Sequence, residues 1–230
     1  HAGALRDMIP NHILQLLSLI AMEMPISFGA DDMRDEQVKV LRAIRPLHGE
    51  DINHNVVRGQ YVHGTVDGKD LSAYRAEDNV DPSSMTETYV ALRLAVENQR
   101  WAGVPFYLRT GKRLARRVTE IVVEFKKPPF TPFRETTVQS LEPNQLIIRI
   151  QPDEGISLRF VTKVPGTLLK LDEVDMDFRY ADYFGRAPAT GYDRLLYDCI
   201  RGEATLFRRA DMVEAGWLPI AGIQEAWEHS

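Results

Sequence analysis

Cysteine is almost missing from this 230-residue chain, in which Cys199 is the only one. No intrachain disulfide can form, and a reducing, cytoplasmic setting is the natural expectation. Cys199 sits in Leu195-Leu196-Tyr197-Asp198-Cys199-Ile200, an apolar helical context that predicts a buried, inert thiol. A basic excess is missing too. With 28 Lys and Arg against 33 Asp and Glu the net charge is −5, which argues against nucleic acid or an anionic membrane as the main partner. Any anion site must therefore be a local cluster. The longest apolar run, Ile13 to Met22, is interrupted by Gln15 and Ser18 and closed by Glu23, too short to span a bilayer. His48, His54 and His63 lack regular ligand spacing, so no metal site is expected. No Gly-x-Gly-x-x-Gly run follows a strand, so the dinucleotide fingerprint is absent as well.

What is present reads as helices, then strands, then helices. Ala2 to Glu23 is helical in composition, with Pro10 expected to kink it or mark its true start. Asp31, Asp32, Asp35 and Glu36 load negative charge before Val38, Leu41 and Ile44, a second helix stopped by Pro46. Leu47 to about Ser84 is rich in Gly, Asp, Asn and His, with only a short strand-like Val56-Val57-Arg58-Gly59-Gln60-Tyr61, and predicts a long ordered loop. Period-two alternation follows: Val90, Leu92, Leu94 and Val96; Ile121, Val123 and Phe125; Leu146, Ile148 and Ile150; Ile156, Leu158 and Phe160; Val174, Met176, Phe178 and Tyr180. Such alternation means a sheet buried on one face, usually antiparallel, with a polar opposite face that is solvated or matched against a second copy. Thr190 can cap a helix running to Gly202, and Asp211 opens another that contains Pro219. The expectation is an α+β fold, a large mostly antiparallel sheet with helices packed on one face, and one domain over residues 1–230.

Two constellations carry chemistry. Helical spacing puts His12 in line with Met8, Leu16 and Leu19, beside a polar line of Asp7 and Asn11. A lone histidine on an apolar stripe is more often a hydrogen-bonded core residue than a base. The second is Arg109-Thr110-Gly111-Lys112-Arg113-Leu114-Ala115-Arg116-Arg117, five cations in nine residues with a glycine that permits a tight turn. Several of these side chains could surround one small anion such as a phosphorylated metabolite, although a solvated turn is the commoner outcome.

Resemblance changes the weighting. Ala2-Gly3-Ala4-Leu5-Arg6-Asp7-Met8-Ile9-Pro10-Asn11-His12 resembles the segment of glucose-6-phosphate dehydrogenases that carries their catalytic histidine. The stretch from Glu97 through Trp101-Ala102-Gly103-Val104-Pro105 to Lys112 is similar, nearly residue for residue, to that family's central signature. Tyr61, Ser83 to Thr88, Leu146 to Pro152 and Tyr192-Asp193-Arg194-Leu195-Leu196 extend the likeness over essentially the whole chain.

The resemblance implies His12 as general base, Asp7 as a ligand to sugar hydroxyls, Lys112 and Arg117 as substrate ligands, and Gln151 as a weaker substrate contact. Imidazole suits the role, because its unperturbed pKa of about 6.5 lets it accept a proton near neutral pH. It also implies glucose 6-phosphate as substrate and NADP as the cofactor of the full enzyme, held mainly by an N-terminal nucleotide-binding domain outside this chain. No cofactor is expected in the chain itself. Val118 and Ser157 do not supply what a second, structural nucleotide site on the sheet would need, although Arg109, Arg149 and Arg159 remain. A homodimer through the sheet, or a tetramer, is the expected assembly. A non-catalytic dimerisation module and a phosphosugar sensor are the alternatives, disfavoured because a scaffold has no use for Asp7, His12, Lys112 and Arg117 together.

Overall fold

The computed structural model describes residues 3–66, 68–129, 141–167, 169–185 and 191–228. The chain divides into two compact units, His1–Ala115 with Gly191–Ser230, and Arg116–Thr190.

In the first unit the opening helix is three segments end to end: α1 (Ala4–Met8), a π-helical turn (Ile9–Ile13) and α2 (Leu14–Ala21). Pro10 explains the widening. It has no N–H to give to the previous turn and its ring crowds the carbonyl there, so the chain opens by one residue, and Leu14 N–H reaches back to Ile9 O, five residues away. α3 (Ala30–Arg42) follows, with Asp31 and Asp32 at its positive end and Lys39 and Arg42 at its negative end.

Within the segment expected to be a long loop, the strand-like stretch at 56–61 is β1 (Val56–Gly59), and the segment also contains α4 (Glu50–Asn55), the hairpin β2 (Gly64–Val66) and β3 (Lys69–Leu71), and a 3-10 turn at Tyr74–Ala76. Elements this short complete too few periods to show in a hydrophobic pattern. β4 (Tyr89–Ala95) pairs antiparallel with β1 on one side and with β5 (Pro105–Gly111) on the other. Val90, Leu92 and Leu94 of β4 are buried beneath the helices, whereas Arg93 is exposed. Ile9, Leu14, Leu41, Ile220 and Ile223 complete that core.

The second unit is a four-stranded antiparallel sheet, β6 (Thr119–Glu124), β7 (Gln145–Gln151), β8 (Gly155–Lys163) and β9 (Leu171–Arg179), followed by α5 (Tyr180–Phe184). The α+β class and antiparallel pairing are as the alternation predicts, with the described strands spread over three sheets of three, two and four strands. One face of the four-stranded sheet carries a charge ladder: Arg149 pairs with Asp177 at 3.4 Å and Arg159 with Asp175 at 2.8 Å. Ser157, fully buried, donates to the same Asp177. On the other face Val174 and Met176 are exposed.

α6 (Gly191–Arg201) and α7 (Ala210–Glu228) belong to the first unit. Thr190, the expected cap of α6, lies outside the described residues. Cys199 is exposed, not buried as its apolar neighbours suggest. The helix turns Asp198 inward, in an ion pair with Arg194 at 2.9 Å, which leaves Leu196, Cys199 and Ile200 on the solvent side. Gly202, at φ 70°, ends the helix in the left-handed conformation where a side chain would be strained.

Arg209 ties α7 to α3. Its guanidinium lies 2.5 Å from Asp35, 2.8 Å from Asp211 and 3.8 Å from Asp31. The hydrogen bonds from Arg209 hold the Asp211 carboxyl below its ordinary range. A lowered folded-state pKa stabilises above the unfolded value and is lost as pH falls through the folded one. Arg209→Met is therefore expected to lower the thermal midpoint at pH 7, with the deficit shrinking below about pH 4 as the Asp211 carboxylate protonates. Thermal unfolding followed by circular dichroism across that range checks it.

Candidate functional site

The start of α1 is fixed from across the sheet. Ala4 N–H donates to the Glu87 carbonyl at 3.0 Å, and Leu5 N–H to the Glu87 side chain at 2.9 Å, so one residue satisfies two donors that the first turn cannot satisfy itself. The Glu87 carboxylate presses against Gly3 so closely that a Cβ there would collide with it.

Thr88, buried, performs the same service for the strands. Its N–H donates to Gly59 O at 2.9 Å, its hydroxyl accepts from Tyr61 N–H at 2.9 Å, and its carbonyl accepts from Lys112 N–H at 2.9 Å. Ala4 and Lys112 thus bind the carbonyls of consecutive residues. Through them the helix carrying Asp7 and His12 and the turn carrying Lys112 are held to one point of the sheet.

His12 lies within the π-helical turn and is exposed. The line predicted for it, Met8, Leu16 and Leu19, is itself half-buried to exposed, the core being reached by Ile9, Leu14, Leu17 and Ala21, so the reading as a buried core histidine does not apply. Asp7 is also exposed, and Asn11 donates to the Asp7 main-chain carbonyl at 3.3 Å, leaving the Asp7 carboxylate out of that bond. Lys112 is exposed and makes no ion pair with another described residue.

The cationic stretch does not act as one cluster. Arg113, at φ 55°, turns back to pair with Glu77 at 2.6 Å, covers the Tyr61 ring at 4.8 Å and reaches Ser72 O at 3.4 Å. It clamps the 61–77 segment and is unavailable as an anion ligand. Burial raises the Tyr61 hydroxyl pKa, so that residue stays protonated under the cation. Arg109 lies on β5, exposed.

Arg117 and Gln151 belong to the second unit, both exposed, with Gln151 opposite Thr119 where β6 and β7 pair. A cavity of about 520 Å³ in that unit is lined by Phe125, Lys126, Val161, Lys163 and Leu171, and neither Arg117 nor Gln151 lines it. Arg149 and Arg159 are paired with Asp177 and Asp175, and Val118, just before β6, is an exposed apolar side chain. Among the described residues no group of three His, Cys, Asp or Glu could hold a metal, and no helix is long and apolar enough to cross a membrane.

Glu87, Thr88, Tyr61 and Arg113 act through contacts distant in sequence, which is why local patterns miss their roles. Gly3, a glycine opening a helix, was the one visible hint of a close approach. The signature residues Arg100 and Trp101 are structural: Arg100 binds Glu23 at 2.6 Å, and Trp101 donates its indole N–H to Ala21 O at 2.9 Å, at the end of α2.

A family model described as glucose-6-phosphate dehydrogenase, C-terminal domain, matches residues 1–230. The chain is 56% identical over 216 residues to a glucose-6-phosphate 1-dehydrogenase of Aggregatibacter actinomycetemcomitans, covering 94% of this chain and 43% of that protein. It is 48% identical to the enzyme of that name from Chlamydia muridarum, covering 98% of this chain and 44% of the relative. A solved structure of a glucose-6-phosphate dehydrogenase in complex with its substrate glucose-6-phosphate superposes with a TM-score of 0.84 at 32% identity, over 98% of this chain and 45% of the other. The chain spans about half the length of the curated relatives it matches.

Thr88→Val keeps shape and burial but leaves the Tyr61 N–H without its acceptor. A loss of about 1–3 kcal/mol is expected, read from the urea unfolding midpoint.

Proposed function

We propose, on the premise that the chain belongs to the glucose-6-phosphate dehydrogenase C-terminal domain family, that residues 1–230 form one C-terminal domain that binds glucose 6-phosphate and supplies the base for its oxidation. The observation that supports this is that the helix bearing Asp7 and His12 and the turn bearing Lys112 are anchored through their main chains to the consecutive residues Glu87 and Thr88, with all three side chains exposed.

In this reading the His12 imidazole takes the proton of the C1 hydroxyl as the hydride leaves C1, and the sugar becomes a lactone. Asp7 accepts hydrogen bonds from sugar hydroxyls. Lys112 and Arg117 fix the substrate and move no proton, and Gln151 is a weaker substrate contact. NADP is the hydride acceptor, held mainly by a nucleotide-binding domain outside this chain, which carries no glycine-rich fingerprint. The cytoplasm is the expected location. The charge-laddered sheet β6–β9 is the surface on which two copies would pair, as a dimer or within a tetramer.

Among the described residues no carboxylate is bonded to the His12 ring, and a base without an orienting partner is poorly set. The chain by itself is therefore expected to reduce no nicotinamide nucleotide in a coupled assay; turnover comparable to an intact enzyme would contradict this. In the full-length protein His12→Asn is expected to lower kcat by about 10²- to 10⁴-fold with KM little changed. Lys112→Met should raise KM for glucose 6-phosphate about ten- to a hundredfold, the equivalent of one charge-assisted hydrogen bond. Wild-type kinetics in both variants would refute the assignment.

A further inference from the structure

Arg208 stands apart from the other arginines of its neighbourhood. It is half-buried in the approach to α7, and among the described residues it makes no ion pair. Its recorded hydrogen bonds are to main-chain carbonyls: Nη1 donates to Pro10 O at 2.9 Å and Nη2 to Met212 O at 3.4 Å. Its Nε is buried without a hydrogen-bond partner among the described residues. Burial pushes its pKa down from the ordinary guanidinium value, the cost of placing a cation there without a carboxylate.

The surroundings are built to hold that guanidinium in place. On one side of Arg208 in sequence, Arg34 donates to Phe207 O at 2.9 Å and to Ala204 O; on the other, Arg209 is tied to Asp35 and Asp211. α7 packs against the π-helical turn, and Gly216 makes room where they meet. A Cβ at Gly216 would lie 3.2 Å from Nη2 of Arg208 and 3.8 Å from Pro10 O. Pro10 belongs to the widened turn, two residues before His12.

We infer that Arg208 is a positioning residue for His12: by binding the Pro10 carbonyl it holds the π-helical turn in the form that presents the imidazole at the surface. A π turn is a less favourable arrangement than the α-helix on either side and persists only where its environment determines it. Arg208 supplies a charge-assisted bond to a carbonyl of that turn, and Gly216 permits the approach. Its catalytic consequence rests on the proposed role of His12; its structural one does not.

The test uses the full-length protein with Arg208→Met, Arg208→Lys and Gly216→Ala, kinetics with glucose 6-phosphate, and the His12 ring signals in NMR spectra, assigned with His12→Asn. Arg208→Met is expected to lower kcat about tenfold with KM changed less than about twofold, and to shift the His12 signals. Arg208→Lys, which still reaches a carbonyl, should recover part of both. Gly216→Ala, favourable to the helix itself, should reproduce the defect by crowding the guanidinium. Arg208→Met with wild-type kcat and unmoved His12 signals overturns the inference. If that variant does not fold, unchanged kcat and signals in Gly216→Ala overturn it instead. A wild-type protein without dehydrogenase activity would defeat the functional reading alone, and the His12 signals would still decide the role of Arg208.

Discussion

Two neighbouring peptide carbonyls, those of Glu87 and Thr88, organise the first unit. Where β4 begins, Thr88 extends the pairing toward β1 and β5, while Glu87 just before it serves α1 instead of a strand. One carbonyl holds the first turn of α1 and the next holds the turn after β5. The Thr88 hydroxyl adds Tyr61, and so the 61–77 segment clamped by Arg113. Displacing this corner would shift a helix, a turn and a loop together, which makes it the geometric reference for everything proposed about substrate binding.

The cations of the unit divide by what they touch. Arg100, Arg113 and Arg209 each meet a carboxylate and serve as fasteners between elements. Lys112 meets none among the described residues, and its main chain alone is pinned. A flexible ammonium on a fixed backbone is suited to meeting an anion, whereas a paired guanidinium has already spent its directional bonds. Within the nine-residue cationic stretch only Arg113 is spent in this way; Lys112 and Arg109 in this unit, and Arg116 and Arg117 in the other, meet no carboxylate among the described residues.

Periodicity made β4 legible, because Val90, Leu92 and Leu94 point to one deep core; the antiparallel strands and the order of helix, strand and helix followed from the same signal. It failed at α4, β2 and β3, which are too short to repeat, and at Cys199, where an apolar stripe lies on the solvent side because the inward position is occupied by Asp198 paired with Arg194. Pro10 announced an irregularity, yet nothing local distinguishes a kink from a widened turn. The site was legible only as residue identities. What places them, Glu87 against Gly3 and Thr88 against Lys112, is a set of contacts between positions far apart in the chain, and residue spacing cannot register it.

The widened turn at Ile9–Ile13 amounts to one residue more than an α-helix of the same rise requires. Winding these residues as a regular α-helix while keeping all of them would rotate α1 relative to α2 by about 100°. Ala4 and Leu5 could then no longer face Glu87 while Leu14 and Leu17 kept their places in the core. The widened turn is therefore a spacer: it takes up one residue without changing the facing of the helices on either side, and two anchored ends, rather than any one side chain, hold it open.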